Sequence, residues 1–240
     1  MVAIDGTACV LGSGESDMEQ PIPIGRSNSP IVSNVGALAT IDGHVYATGG
    51  WRSVCYRESA NHWVSLRKNL PLPTDETVFD VGFDGIDGFN AKDIYCAGSY
   101  GDVWRFDGDR WLQCPIPTNL LLSTVCCASD GNVYIGAQSG SVIKGRENKW
   151  KLIHRGQMSL PFKDIVWYQD RLWCTSDYGI WQVVNDELIE ADLPPEIRVC
   201  AGNLSVGDGV LLLAGMYGAA VFDGKKWEIL VDPIMANKSK

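Results

Sequence analysis

Short runs of apolar and aromatic residues alternate along the whole chain with clusters of Gly, Asp and Asn. Between residues 80 and 114 the pattern is plainest. Asp80-Val-Gly-Phe, Asp93-Ile-Tyr-Cys-Ala, Asp102-Val-Trp-Arg-Phe and Arg110-Trp-Leu-Gln-Cys read as extended pieces joined by turn residues that tolerate positive φ. Four short strands in succession predict a meander. No segment carries a sustained helical stripe; Met158 to Lys163 is too short and contains Pro161.

The same pattern is written more than once. AGSYGDVWRFDGDRW, ending at Trp111, has a near copy in AGMYGAAVFDGKKW, ending at Trp227. An Asp-Gly turn followed by an apolar strand occurs at Asp5-Gly6, Asp42-Gly43, Asp130-Gly131 and Asp208-Gly209. Ala91-Lys-Asp-Ile-Tyr-Cys96 and Gln169-Asp-Arg-Leu-Trp-Cys174 fill the gaps, so equivalent positions fall at 5, 42, 91, 130, 169 and 208. A closing tryptophan recurs as Trp63, Trp111, Trp150 and Trp227, with Leu188 at the matching place. Between units stand Pro21, Pro23, Pro71, Pro73, Pro115, Pro117, Pro161, Pro194, Pro195 and Pro233, where a missing N–H breaks no sheet ladder.

Units that cannot bury both faces by themselves must stack, so the predicted fold is an all-β, single-domain β-propeller of six four-stranded blades. The blades are placed at about 1–33, 34–74, 79–118, 121–161, 162–195 and 197–232. Because Ser13 to Met18 is polar and the first unit lacks its tryptophan, the alternative is five blades plus a partial one.

Composition narrows the function. At 240 residues, 45% hydrophobic and 20% charged, the chain can bury a large core. It contains neither an apolar run of membrane-spanning length nor a signal-peptide start, which points to the cytoplasm. The eight cysteines show no CxxC spacing, and Cys96 and Cys174 sit at one equivalent strand position, so they read as reduced core thiols. A net charge of −9 without basic clusters argues against nucleic acid and favours a basic protein partner.

Catalytic patterns are missing. His44, His62 and His154 lie in different units without HxH or HExxH spacing, and neither Leu11-Gly-Ser-Gly-Glu15 nor Gly136-Ala-Gln-Ser-Gly-Ser141 has the helix that a nucleophile elbow or phosphate loop needs. The acids Asp75, Glu76, Asp80, Asp84 and Asp87 crowd an insertion between Leu66 and Phe89 but lack calcium-loop spacing, so no metal or cofactor is expected. One geometric signal remains. Trp51, Tyr100, Tyr178 and Tyr217 each follow the second strand of a unit, with Asp102 and Asp177 beside two of them. Equivalent turns leave a propeller on one face, so these six residues are the candidate partner-binding set; the alternative is that each aromatic seals its neighbouring blade.

Asp130-Gly-Asn-Val-Tyr-Ile-Gly-Ala-Gln-Ser-Gly-Ser-Val and Leu213-Ala-Gly-Met-Tyr-Gly-Ala-Ala-Val-Phe-Asp-Gly resemble the propeller repeats of two-component-regulator sensor domains, over most of residues 34 to 230. That resemblance implies the fold and leaves function to the site. In its general features the chain is also similar to the immunity partners of secreted antibacterial toxins. This similarity implies a non-catalytic, monomeric inhibitor that covers a toxin, with no role for nucleic acid or membrane. The competing class is a carbohydrate-binding or glycan-active propeller, in which the same aromatics stack on sugars while Asp87, Asp102 or Asp177 supply hydrogen bonds or acid–base chemistry.

Overall fold

The computed structural model describes residues 1–12, 15–25, 29–72 and 81–231. Ser13, Pro73, Asp75, Glu76, Asp80 and Pro233 lie outside the described residues. Among the described residues the protein is all-β apart from short turns and one four-residue α-helix, α1 (Pro195–Arg198), which opens on a proline where the missing N–H costs nothing.

The fold is a β-propeller with five four-stranded blades, the alternative expected from the sequence. At the N-terminus β1 (Ala8–Gly12) pairs only with β2 (Glu15–Glu19). The first full blade comprises β3 (Val35–Ile41), β4 (His44–Gly49), β5 (Ser53–Ser59) and β6 (His62–Ser65). The second comprises β7 (Phe83–Asn90), β8 (Asp93–Gly98), β9 (Asp102–Phe106) and β10 (Trp111–Gln113). The third comprises β11 (Leu122–Cys127), β12 (Val133–Ala137), β13 (Ser141–Arg146) and β14 (Lys149–His154). The fourth comprises β15 (Asp164–Tyr168), β16 (Arg171–Ser176), β17 (Gly179–Val184) and β18 (Glu187–Glu190). The fifth comprises β19 (Gly202–Gly207), β20 (Val210–Gly215), β21 (Gly218–Phe222) and β22 (Trp227–Val231). Strands follow one another in space as in sequence. A sixth four-stranded blade is not present among the described residues.

Turn chemistry explains the register. Asp42 and Gly43 have φ of 47° and 75°, Asp208 and Gly209 50° and 76°, the paired positive values of a type I′ hairpin. Gln169 and Asp170 do the same at 50° and 56° without a glycine. Each closing aromatic position sits in the fourth strand of its blade, as Trp63, Trp111, Trp150, Leu188 and Trp227.

One strand lies elsewhere than its spelling suggests. The first strand of the second blade was expected at residues 80–83, with Asp84-Gly-Ile-Asp-Gly beyond it as turn; instead β7 runs Phe83–Asn90 straight through those residues. The glycines serve close packing: a Cβ on Gly85 would meet Thr124 Cα at 2.9 Å.

The chain forms two compact units, residues 1–125 and 126–240, meeting within β11. In the first unit Ile41, Val54, Phe83, Ile94, Trp104 and Trp111 share one buried cluster, and Ile22, Ile31, Ala47, Cys55 and Trp63 a second. In the second unit Tyr134, Phe162, Leu172 and Val183 form one cluster, and Trp173, Leu204, Leu211 and Leu213 another. Cys55, Cys96 and Cys174 are buried thiols, and desolvation pushes Cys55 up to about 12 and Cys174 higher still.

Candidate functional site

The turn after the second strand of each blade is built in one of two ways. In the first unit Gly49 pairs with Ser53 and Gly98 with Asp102, so each turn holds three residues: Gly50-Trp51-Arg52 and Ser99-Tyr100-Gly101. Trp51 and Tyr100 stand at φ of 58° and 60°, a left-handed conformation that a non-glycine side chain adopts at some cost. Trp51 is partly buried, and its N–H reaches Val81 O at 2.6 Å. Tyr100 is 61% exposed.

The second unit begins with a third such turn, Gln138-Ser139-Gly140, which lacks an aromatic residue. Its two remaining turns are shorter. Ser176 pairs with Gly179 and Gly215 with Gly218, leaving only Asp177-Tyr178 and Met216-Tyr217 at the tips. Tyr178 is 85% exposed, Met216 86% and Tyr217 64%. Thr175 Oγ1 donates to Gly202 O at 2.6 Å, and Gly202 pairs with Gly215, so both tips project from the same end of adjoining sheets. These two-residue turns thus hold bulky side chains out into solvent.

The two candidate acids have different surroundings. Asp102, first residue of β9, is buried; its carboxylate accepts Arg52 Nε at 2.7 Å, Arg52 Nη2 at 3.0 Å and Trp104 Nε1 at 2.8 Å. Arg52 also donates to Pro71 O at 2.6 Å and lies 5.0 Å from the centroid of Trp104. This bidentate, stacked pair ties the β4–β5 turn to the β8–β9 turn within the first unit. Asp177 is exposed and meets Lys163 Nζ at 2.7 Å. Of the six candidate residues, Tyr100, Tyr178, Tyr217 and Asp177 are solvent-facing, Trp51 is partly covered and Asp102 is enclosed.

Two features escaped sequence reading. Asp164, opposite Thr175 in β15–β16, accepts the N–H groups of Ile165 at 2.9 Å and Leu204 at 3.0 Å; burial pushes its pKa up to about 6, opposed by those two amides. At the other end of the third and fourth blades, within the second unit, a cleft of about 370 Å³ is lined by Asp130, Tyr134, Lys144, Trp167, Asp170 and Asp186. There Asp186 binds Lys151 and also Lys144 at 2.9 Å, and these two cations hold it below the usual carboxylate range. Tyr134 donates to Asp130 at 2.9 Å and stacks on Trp167 with centroids 5.6 Å apart. The Asp130 and Asn185-Asp186 turns were visible signals, but only the fold brings them together. Among the described residues, no group of three His, Cys, Asp or Glu side chains is placed to hold a metal, and no helix is long and apolar enough to cross a membrane.

No protein-family model matches the chain. Among solved structures, virginiamycin B lyase from Staphylococcus aureus is similar at a TM-score of 0.67 and 14% identity, over 95% of this chain and 78% of that one. The extracellular domain of a putative one-component system protein from B. thetaiotaomicron aligns at 0.64 and 17%, over 90% of this chain and 30% of that one. These likenesses concern the fold. Immune protein Tsi7 of Pseudomonas aeruginosa is 33% identical over 222 residues, covering 92% of this chain and 72% of that protein. With a third of its residues shared across most of both chains, this propeller belongs to the family of immune protein Tsi7.

Proposed function

We propose that this chain is an immunity protein that neutralises a toxin by binding it as a folded protein, without catalysis. The observation that carries the reading is the 33% identity to an immune protein along 92% of the chain. A contact surface at these turns is supported by the exposure of Tyr178, Met216 and Tyr217, which share one end of adjoining sheets. Two of the three acids the glycan reading would use stand in ion pairs, Asp102 with Arg52 and Asp177 with Lys163. A net charge of −9 favours a basic toxin and speeds the encounter. The inhibitor would act as a monomer in the cytoplasm, where an invading toxin must be met.

Pull-down with the intact chain as bait should recover a toxin, with the product of the neighbouring gene the first to test. Truncating Tyr178, Met216 or Tyr217 to alanine should then weaken the complex by about 2 kcal/mol at each true anchor, roughly thirtyfold, with melting unchanged. Normal binding by all three folded variants would move the contact away from these turns. Reproducible turnover of glycosides, esters or phosphoesters, abolished by an Asp substitution, would replace the inhibitor reading with an enzyme.

A further inference from the structure

Among the described residues the first repeat holds three strands where a full blade has four. Residues 1–3 pair with residues 7–9 across the Asp5-Gly6 turn, through Ala3 N to Thr7 O at 2.8 Å and Cys9 N to Met1 O at 2.9 Å. Then come β1 and β2, and no fourth strand follows among the described residues. In every full blade that outer place is filled, by β6, β10, β14, β18 or β22.

The backbone shows which groups this leaves open. Cys9 directs its N–H and C=O to residues 1–3, because its N–H reaches Met1 O and its C=O accepts the Met1 ammonium at 2.7 Å. Cys9 faces Met18 across β1–β2, so Met18 is in a non-hydrogen-bonded pair and points its own N–H and C=O to the outer edge. By the same alternation Ser16 does so too, and Gln20 confirms it: its outward N–H is taken by Asn61 Oδ1 at 2.6 Å. Asn61 thus stands where a fourth strand would begin. No bulge interrupts the five-pair register, and Ser16, Asp17 and Met18 are all exposed. Such an edge is a template for strand addition.

We propose that β2 is a docking edge for an extended segment of the partner protein, carrying basic side chains on one face and apolar ones on the other. Asp17 and Glu19 share one face of the strand, and Met18, 61% exposed, stands on the opposite one. Glu19 is enclosed, its carboxylate accepting from Arg57, so the negative charge open to the added strand is that of Asp17. The surrounding unit matches: residues 1–125 contain 15 acidic and 8 basic side chains, residues 126–240 contain 14 and 12. A second copy of this chain fits worse, since antiparallel self-pairing would set carboxylates against carboxylates.

The inference rests on the toxin-binding reading, and the experiment separates the two. With the toxin recovered by the intact chain, hydrogen exchange should slow at least tenfold at the Ser16 and Met18 amides on complex formation. Met18→Pro removes an outward N–H while sparing the β1–β2 ladder, so it should weaken binding at least tenfold, whereas Met18→Ala stays within threefold. A complex that forms with both amides exchanging as in the free protein overturns the docking edge and leaves the toxin reading standing. So does Met18→Pro binding like wild type with unchanged melting. Failure of the intact chain to bind the toxin sinks both. Protection of the same amides in the isolated protein, through a concentration-dependent dimer, gives the edge to a second copy and overturns the proposal. Should Met18→Pro fail to fold, the exchange measurement on the unaltered protein still decides.

Discussion

The β8–β9 turn of the first unit and the β16–β17 turn of the second are spelled almost alike, Ser-Tyr-Gly-Asp and Asp-Tyr-Gly, and do different work. In the first, three turn residues place the acid after the tyrosine, on the first position of β9, where Arg52 and Trp104 enclose it. In the second, two turn residues place the acid before the tyrosine, at the tip, where it meets only Lys163 among the described residues and both carry exposed side chains. One residue of turn length therefore separates a buried ion pair from a surface charge. The lesson is that repeat position assigns an aromatic to a face, but turn register decides whether its polar neighbour holds the scaffold or faces solvent.

The largest expected effect breaks the enclosed side of this comparison. Asp102→Ala strands a buried guanidinium whose side chain is 13% exposed, and should cost about 3–5 kcal/mol, read from the urea midpoint. Trp111→Ala, which removes a ring packed on Phe83 and Phe106 and a bond to Leu66 O at 2.8 Å, should cost a similar 3–5 kcal/mol and calibrates the scale. If Asp102→Ala unfolds at the wild-type midpoint while Trp111→Ala does not, the Arg52 pair contributes nothing to the scaffold.

A smaller effect comes from the second unit's half-buried acid. Asp164 has two backbone amides and no cation partner among the described residues, and its folded pKa of about 6 lies above the ordinary 3.8. The folded chain therefore keeps a proton that the unfolded chain releases across that window. The stabilisation is complete below the unfolded value and lost as pH rises through about 6. Asp164→Asn should flatten this dependence, so that the loss of stability between pH 4 and pH 7 shrinks by about 1–3 kcal/mol relative to wild type. Equal pH slopes in the two proteins would show that solvent reaches Asp164 as freely as it reaches Asp177.

How much of this was legible follows from the range of the interactions. Blade register was readable because it depends on neighbours in sequence: the Asp42-Gly43 and Asp208-Gly209 turns set hairpins locally, and Trp63, Trp111 and Trp227 mark the strand that follows. β7 was misread because its glycines and acids imitate a turn, and only Thr124 against Gly85 shows why they belong in a strand. The Arg52–Asp102 pair joins residues 50 positions apart and needs the turn length to be known first. Of the four aromatics, all found by their place in the repeat, Tyr100, Tyr178 and Tyr217 are exposed and Trp51 is partly covered, a difference the repeat position alone does not carry. The outer strand that the described part of the first repeat lacks was foreshadowed by an absent tryptophan, but the direction of the Met18 amide was not.

The smallest effect falls on the exposed side of the comparison. Asp177 and Lys163 keep side-chain exposures of 57% and 43%, so water screens their attraction and both side chains lose freedom by meeting. Asp177→Asn should therefore change stability by less than about 0.5 kcal/mol, an order of magnitude below Asp102→Ala. Its consequence belongs to the encounter. Removing a charge beside Tyr178 should slow association with a basic toxin severalfold at low salt and flatten the salt dependence, while dissociation hardly changes. Asp102→Asn, if folded, should leave that salt dependence intact, because its charge is already spent on Arg52. Stopped-flow association at two ionic strengths distinguishes the variants. Equal salt slopes for Asp177→Asn and wild type would remove this turn from the path of the incoming partner, and the acidic first unit would then be left to steer it.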